Sequence, residues 1–284
     1  SNTDVATVSN DGEVTSIGLG ETTITLKDTI NGYQAQAKVI VTQNNEKVVT
    51  MPDISQGRNF TVILKADGTV WTTGINTNGQ CGDGTTVNRT KPVRVKVNSK
   101  EYLNNIVRIA AGEDHAVAVS KTGEVYSWGY NDTYQLGNGT TTKGVYATKV
   151  VSADGEGYLQ DAIDVSCGYK FTIVLLKNGS VVGFGRNAYG NLGTLNNNNK
   201  SYPTAMEGVY NAVDVQAGST HSIVQKGDGT VWTAGYNYYG TLGQNATNTG
   251  STAAAQGRNY ANPVINESKN GVLKNIVKVS AGAH

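Results

Sequence analysis

Apolar and polar residues alternate with period two along most of the chain, in short runs such as Ile106-Val-Arg-Ile-Ala-Ala, His115-Ala-Val-Ala-Val-Ser and Val125-Tyr-Ser-Trp128-Gly. Alternation of this kind turns every second side chain to one face, which predicts short β-strands rather than helices. Between the second and third runs lies Lys121-Thr-Gly-Glu, and the matching places elsewhere read Ala66-Asp67-Gly68, Asn178-Gly179 and Asp228-Gly229. Asp-Gly and Asn-Gly supply the positive φ that a tight hairpin requires. The unit therefore reads strand, strand, turn, strand, closed by a fourth strand such as Pro92-Val-Arg-Val-Lys-Val97.

This unit recurs on a glycine frame. Anchors stand at Gly57, Gly112, Gly168 and Gly218; a second glycine follows each after 11 residues (Gly68, Gly123, Gly179, Gly229), a third after 17 (Gly74, Gly129, Gly185, Gly235) and a fourth after 25 (Gly82, Gly137, Gly193, Gly243). An asparagine falls 19 after each anchor, at Asn76, Asn131, Asn187 and Asn237. Successive anchors are 55, 56 and 50 residues apart, the length of one four-stranded sheet, so the expected fold is all-β, built of propeller blades.

Ile106-Val-Arg-Ile-Ala-Ala-Gly-Glu-Asp-His115, followed by Gly123-Glu-Val-Tyr-Ser-Trp128-Gly-Tyr-Asn131 and Gln135-Leu136-Gly137, resembles the repeat of the regulator of chromosome condensation family. The resemblance covers residues 48–284, with four copies and the opening of a fifth at Ile276-Val-Lys-Val-Ser-Ala-Gly-Ala-His284. It implies an open arc of a seven-bladed ring, with an unpaired edge that invites association. Ahead of it, Val5-Ala-Thr-Val-Ser-Asn-Asp-Gly12-Glu-Val14, Gly20-Glu-Thr-Thr-Ile24-Thr-Leu and Ala37-Lys-Val-Ile-Val-Thr42 resemble the C-terminal half of a group 2 bacterial immunoglobulin-like domain. The expected division is thus residues 1–43 as that partial β-sandwich, 44–50 as a linker and 51–284 as the propeller repeats.

Composition narrows the function. The 284 residues are 38% hydrophobic with a formal net charge of +1, enough for a core and without the cation cluster that a phosphate-reading surface needs. Nucleic acid is not an expected partner, and with no run of 18 apolar residues neither is direct insertion into a membrane. The 35 glycines suit tight turns and disfavour long helices. The sequence opens at Ser1 and stops at His284 within a repeat, so a piece of a longer chain is expected.

Candidate chemistry is sparse. His115 and His221 share a slot with Phe60 and Phe171, which makes it a packing position, and one histidine per blade does not assemble a metal shell. Cys81 replaces Leu136, Leu192 and Leu242 of the other copies, and Cys167 replaces Ala111 and Ala217, so both are expected as inert, unbridged thiols. Asp67, Asp228 and Glu124 belong to hairpin turns, and Asp154-Gly-Glu156-Gly with Asp161 reads as a solvated loop between blades. No catalytic residue, metal or cofactor is expected, and a glycan hydrolase is the weaker alternative.

The loop after the third glycine keeps its frame and varies its other positions, among them Tyr130 and Tyr134, Arg186 and Tyr189, and Tyr236, Tyr238 and Tyr239. Tyrosines varied over a constant scaffold suit a binding surface, because the ring gives contact area at low entropic cost. Tyr260 lies in a longer excursion, residues 244–262, whose composition suggests mobility and which would supplement that surface if it bordered it. The expected function is a non-catalytic module that binds a protein or surface glycan. The resemblance to the immunoglobulin-like module implies a bacterial cell-surface or secreted protein. Alternatives are a guanine-nucleotide exchange factor for a small GTPase, which the family implies, and an inhibitor of a secreted enzyme.

Overall fold

The computed structural model describes residues 2–9, 14–27, 34–41 and 49–282, and the chain divides into two compact units, Ser1–Lys47 and Val48–His284. Gly12, Thr42, Gln43, residues 44–48 of the expected linker and His284 lie outside the described residues. The first unit holds two antiparallel pairs, β1 (Ala6–Val8) with β2 (Val14–Ser16) and β3 (Gly20–Lys27) with β4 (Gln34–Val41). Its buried apolar residues are Val5, Ala6 and Ile24, and the Asn2 amide donates to Thr22 Oγ1 at 2.7 Å.

The second unit is four antiparallel four-stranded meanders in sequence order. Blade one is β5 (Asp53–Gln56), β6 (Phe60–Leu64), β7 (Val70–Gly74) and β8 (Arg89–Arg94); blade two is β9 (Ile106–Ala111), β10 (His115–Ser120), β11 (Val125–Gly129) and β12 (Gly144–Lys149). Blade three is β13 (Ala162–Cys167), β14 (Phe171–Leu176), β15 (Val181–Gly185) and β16 (Lys200–Ala205); blade four is β17 (Ala212–Ala217), β18 (His221–Lys226), β19 (Val231–Tyr236) and β20 (Gly257–Pro263). The first strand of each blade contacts the first strand of the next. The alternating runs at 106–111, 115–120 and 125–129 are strands over the full lengths read from sequence. The fourth strand of blade one is a correction: it runs Arg89–Arg94 and not 92–97, because Val95 and Lys96 turn their amides to the carbonyls of Val70 and Gly82 as the chain leaves the ladder.

Each recurring glycine has a distinct physical reason. The second, in the hairpin, sits at φ between +75° and +85°, and the third at φ +116°, +100°, +100° and +113°. A Cβ on the third glycine would also stand 2.4 to 2.6 Å from the carbonyl oxygen of Asn59, Asp114, Lys170 or Thr220, closer than any side chain is allowed. The anchor is glycine for contact rather than conformation: a Cβ there would lie 2.0 to 2.2 Å from the ring of Phe60, His115, Phe171 or His221, and 2.6 to 2.7 Å from the carbonyl oxygen of the next anchor. The last of these carbonyls belongs to Gly282, so residues 276–282 take the place of a fifth inner strand, with the Ile276 amide bonded to Gly229 O at 3.1 Å, but without a ladder. All five anchors line one cavity of about 600 Å³ at the axis.

The repeated asparagine organises the loop between the third and fourth strands. Asn131, fully buried, accepts from the Leu136 amide at 3.0 Å and donates Nδ2 to the carbonyls of Thr140 at 2.8 Å and Thr142 at 3.0 Å. Asn76, Asn187 and Asn237 repeat the pattern on their own loops. Each loop is then fastened to the next blade: Trp128 Nε1 donates to Gln80 O at 2.9 Å, Thr172 Oγ1 to Gln135 O at 3.4 Å and Ser222 Oγ to Asn191 O at 2.6 Å.

Two outcomes follow for thermal or urea unfolding. Gly129→Val is expected to destabilise by about 3 kcal/mol, from positive φ and overlap with Asp114 O, whereas Tyr239→Ala stays within about 0.5 kcal/mol; equal losses would contradict this geometry. Asn131→Ala leaves several buried backbone groups unsatisfied and is expected to cost about 3 kcal/mol, while an exposed asparagine such as Asn198 changed to Ala leaves the melting midpoint nearly unmoved.

Candidate binding ribbon on the loop face

Because Asn131, Asn187 and Asn237 hold the frame, the residues between them and the following glycine are free to differ. The structure brings most of the sequence-selected residues together. Tyr236 meets Tyr189 edge-on at 5.0 Å between ring centroids, stacks on Tyr238 at 6.3 Å and meets Tyr239 edge-on at 6.2 Å; Tyr238 and Tyr239 touch at 4.9 Å. Arg186 lies over the Tyr189 ring at 5.7 Å and over Tyr169 at 5.8 Å. Lys170 continues the line, 5.7 Å from the Tyr169 ring and 4.9 Å from that of Tyr130. Tyr130, Lys170, Tyr169, Arg186, Tyr189, Tyr236, Tyr238 and Tyr239 thus form one ribbon across blades two, three and four, with Tyr169 also lining the axial cavity.

Tyr169 and Lys170 were not among the residues selected from sequence. They follow the anchor directly, a place occupied by Glu113 and Asp114 in blade two and by Ser219 and Thr220 in blade four. Their signal was an aromatic and a cation in a slot otherwise polar. Tyr134 and Tyr260 do not join: among the described residues neither makes a ring contact with the ribbon, and the Tyr260 hydroxyl instead accepts from Arg258 Nη1 at 3.2 Å on β20. The second part of the excursion around Tyr260 pairs into blade four. Its end forms the short 3-10 turn Ala254–Gln256 and strand β20, and the Asn237 amide donates to Gln256 O at 2.8 Å. A Cβ on Gly257 would lie 2.0 Å from Tyr189 O, so the excursion does border the ribbon, through backbone.

The two cations differ in electrostatic state. Burial opposes the charge on Lys170, but Asp132, at 2.7 Å, outweighs it and leaves the Lys170 pKa above the ordinary lysine value. Asp132 is likewise held below the usual carboxylate range despite partial burial, by Lys170 and by Gln135 Nε2 at 3.1 Å. Arg186 has no carboxylate within ion-pair distance among the described residues, so its guanidinium edge presents unspent donors. Tyr239, 79% exposed, gives the ribbon an aromatic tip in water. Rings, one free guanidinium and one neutralised lysine can stack on and hydrogen-bond a partner; they hold no nucleophile beside a base.

The remaining candidates are structural. His115 is fully buried on Gly112 with Nε2 3.0 Å from Thr172 Oγ1, and burial pushes its pKa down to about 3. Cys81 and Cys167 are free thiols, pushed up by burial to about 11 and about 12. Asp67 and Asp228 accept from the amides and hydroxyls of Thr69 and Thr230 in their turns, and Asp154 accepts from the Ser152 hydroxyl at 2.5 Å and the Glu156 amide at 2.9 Å.

Burial of neutral His115 has a measurable consequence. Its folded pKa lies below the unfolded value near 6.5, so its contribution to stability is present above that pH and is lost as pH falls toward 3. His115→Phe, the exchange the repeat makes at Phe60 and Phe171, is expected to flatten this part of the stability profile and to cost little at pH 7. An unchanged acid profile in urea titrations from pH 7 to 3 would show that another group dominates.

Comparison with known proteins agrees with this architecture. A family profile described as RCC1-like domain matches residues 2–284. An RCC2 homolog of Danio rerio is 32% identical over 132 residues, 46% of this chain and 25% of that protein, and the ultraviolet-B receptor UVR8 of Arabidopsis thaliana is 29% identical over 163 residues, 57% and 36% of the two chains. Among solved structures, Prp20p of Saccharomyces cerevisiae superposes with a TM-score of 0.63 at 18% identity, covering 93% of this chain and 58% of that one. The chain thus spans about a quarter to a third of these curated relatives. With four blades on the repeating glycine frame and a profile match over nearly its whole length, the chain belongs to the RCC1-like domain family.

Proposed function

We propose that this chain is a non-catalytic protein-binding module, and that the partner docks on the ribbon from Tyr130 to Tyr239. The observation that carries this is the continuity of that ribbon: side chains from three blades meet at positions the frame leaves free, and they pack on one another rather than filling a blade core. Tyrosine and arginine are the residues enriched at the energetic centres of interfaces, and these are already ordered by mutual contact, which lowers the entropic cost of binding.

The relatives support protein recognition in general terms: the Prp20p structure is described together with binding to Gsp1p and histones. A regulator of a small GTPase, acting as an exchange factor, is therefore a second reading, distinguished by nucleotide release from a purified GTPase. We further propose that the first unit is the partial immunoglobulin-like module its sequence resembles, and that the protein is carried on a bacterial surface or secreted; a surface glycan then remains a candidate ligand alongside protein.

The test uses the intact chain beside a Tyr189→Ala, Tyr236→Ala, Tyr239→Ala variant, immobilised and exposed to surface-protein extracts and to a glycan array. The variant is expected to lose capture at least tenfold, with its melting temperature held. Undiminished capture by the folded variant would remove the ribbon from consideration, and retention of glycans alone would reassign the ligand class.

A further inference from the structure

Blades one and two carry a cation at the same place, 37 residues after the anchor: Arg94 and Lys149. Each is covered by a tyrosine ring, Arg94 by Tyr102 at 4.8 Å and Lys149 by Tyr158 at 5.3 Å. Blade two supplies an internal counter-ion, since Lys149 Nζ lies 2.6 Å from Glu124 Oε1. The Glu124 slot, 12 after the anchor, holds Thr69 in blade one. Arg94 has no carboxylate within ion-pair distance among the described residues, and its Nε is buried without a hydrogen-bond partner.

Neighbouring acids do not make up the difference. Asp83 is committed to Arg89 and Thr85, Asp67 takes the amide and hydroxyl of Thr69 with Lys65 at 3.9 Å, and Glu101 accepts from Asn98. Arg94 spends one nitrogen on Asn104 Oδ1. Beside it opens a cleft of about 560 Å³, walled by Trp71, Pro92, Arg94, Lys96 and Tyr102 and floored by the neutral Asp83–Arg89 pair. Lys96 also leans on Tyr102, at 5.7 Å, and forms no ion pair among the described residues. The cleft is sized for a small molecule and combines two aromatic rings with two cations that have no carboxylate within ion-pair distance among the described residues, Arg94 acting on Asp67 only from farther away.

We propose that this cleft is a binding site for a small carboxylate borne on a ring, a sugar acid in its simplest form. Its carboxylate takes donors of Arg94 and Lys96 that no side chain of blade one neutralises as Glu124 neutralises Lys149 in blade two, and its ring lies against Trp71. This site is separate from the ribbon and stands whether or not a protein docks there.

The test titrates sodium glucuronate, with glucose and inorganic phosphate as separate arms, against the intact chain while following the Trp71 indole N–H resonance. Saturable binding of glucuronate, at least tenfold tighter than either other probe, is expected. Thr69→Glu restores the counter-ion that blade two already accommodates and is expected to weaken glucuronate at least tenfold at unchanged melting temperature. Arg94→Gln, expected to do the same, decides the matter if Thr69→Glu folds poorly. Absence of saturable glucuronate binding, equal affinity for phosphate or glucose, or glucuronate affinity retained in the folded variants would each overturn the proposal.

Discussion

Everything in the repeat unit depends on one close contact, in which an anchor glycine is pinned between a ring and a carbonyl. The ring of Phe60, His115, Phe171 or His221 and the next anchor's carbonyl both crowd the point where a Cβ would stand, at separations that leave no room for one. The inner strands can therefore approach at the axis, and successive blades register against one another there. Backbone bonds from Arg58 to Glu113, Glu113 to Tyr169 and Tyr169 to Ser219 run beside these contacts and tie each blade to the next. A second link lies farther out, where the amides of Ile106, Ala162, Ala212 and Ile276 bond the hairpin glycine of the preceding blade. Blade packing is thus held by backbone at two radii, which frees side chains elsewhere.

The buried asparagine extends the same economy to the loops. One buried amide side chain closes a loop of about a dozen residues by accepting from one backbone amide and donating to two to four oxygens. A loop fixed from inside does not need its outward residues for stability. That is why Tyr130, Arg186 and Tyr236 can occupy equivalent places, each donating its backbone amide to the carbonyl of the residue two after the anchor, Asp114, Lys170 or Thr220. The backbone contact is constant and the side chain is not.

Much of this was legible because the constraints are local and repeated. Glycine spacing, hairpin Asp-Gly pairs and period-two runs report directly on backbone geometry, and strands β9, β10 and β11 follow from them. Less legible were effects that depend on neighbours distant in sequence. Asn105, Asp161, Asn211 and Asn275 all sit at positive φ seven residues before an anchor, a sixth repeated position hidden because one copy is Asp and because its partner is the hairpin glycine of the blade before. Tyr169 joins the ribbon through Arg186 of its own blade and Lys170 through Tyr130 and Asp132 of the blade before, contacts between loops that no spacing within the repeat marks. Tyr260 stands apart from the ribbon because its segment pairs with β19 as the fourth strand of blade four, a partner distant in sequence that an Asn- and Thr-rich composition does not announce.

Differences between copies carry the chemistry once the copies are superposed. A repeat protein holds its own controls, since the same slot is seen in several side-chain contexts on one backbone. At the histidine slot, exchange with phenylalanine shows that a ring is required and a proton is not. At the outer slot, Lys149 with Glu124 is self-contained, whereas Arg94 with Thr69 is not, though both are roofed by tyrosine. A buried guanidinium nitrogen without a partner costs stability unless something offsets it. Arg258 Nε in blade four is left in the same state, so what sets blade one apart from blade two is the pairing of such a nitrogen with an open cleft and with Thr69 where blade two has Glu124.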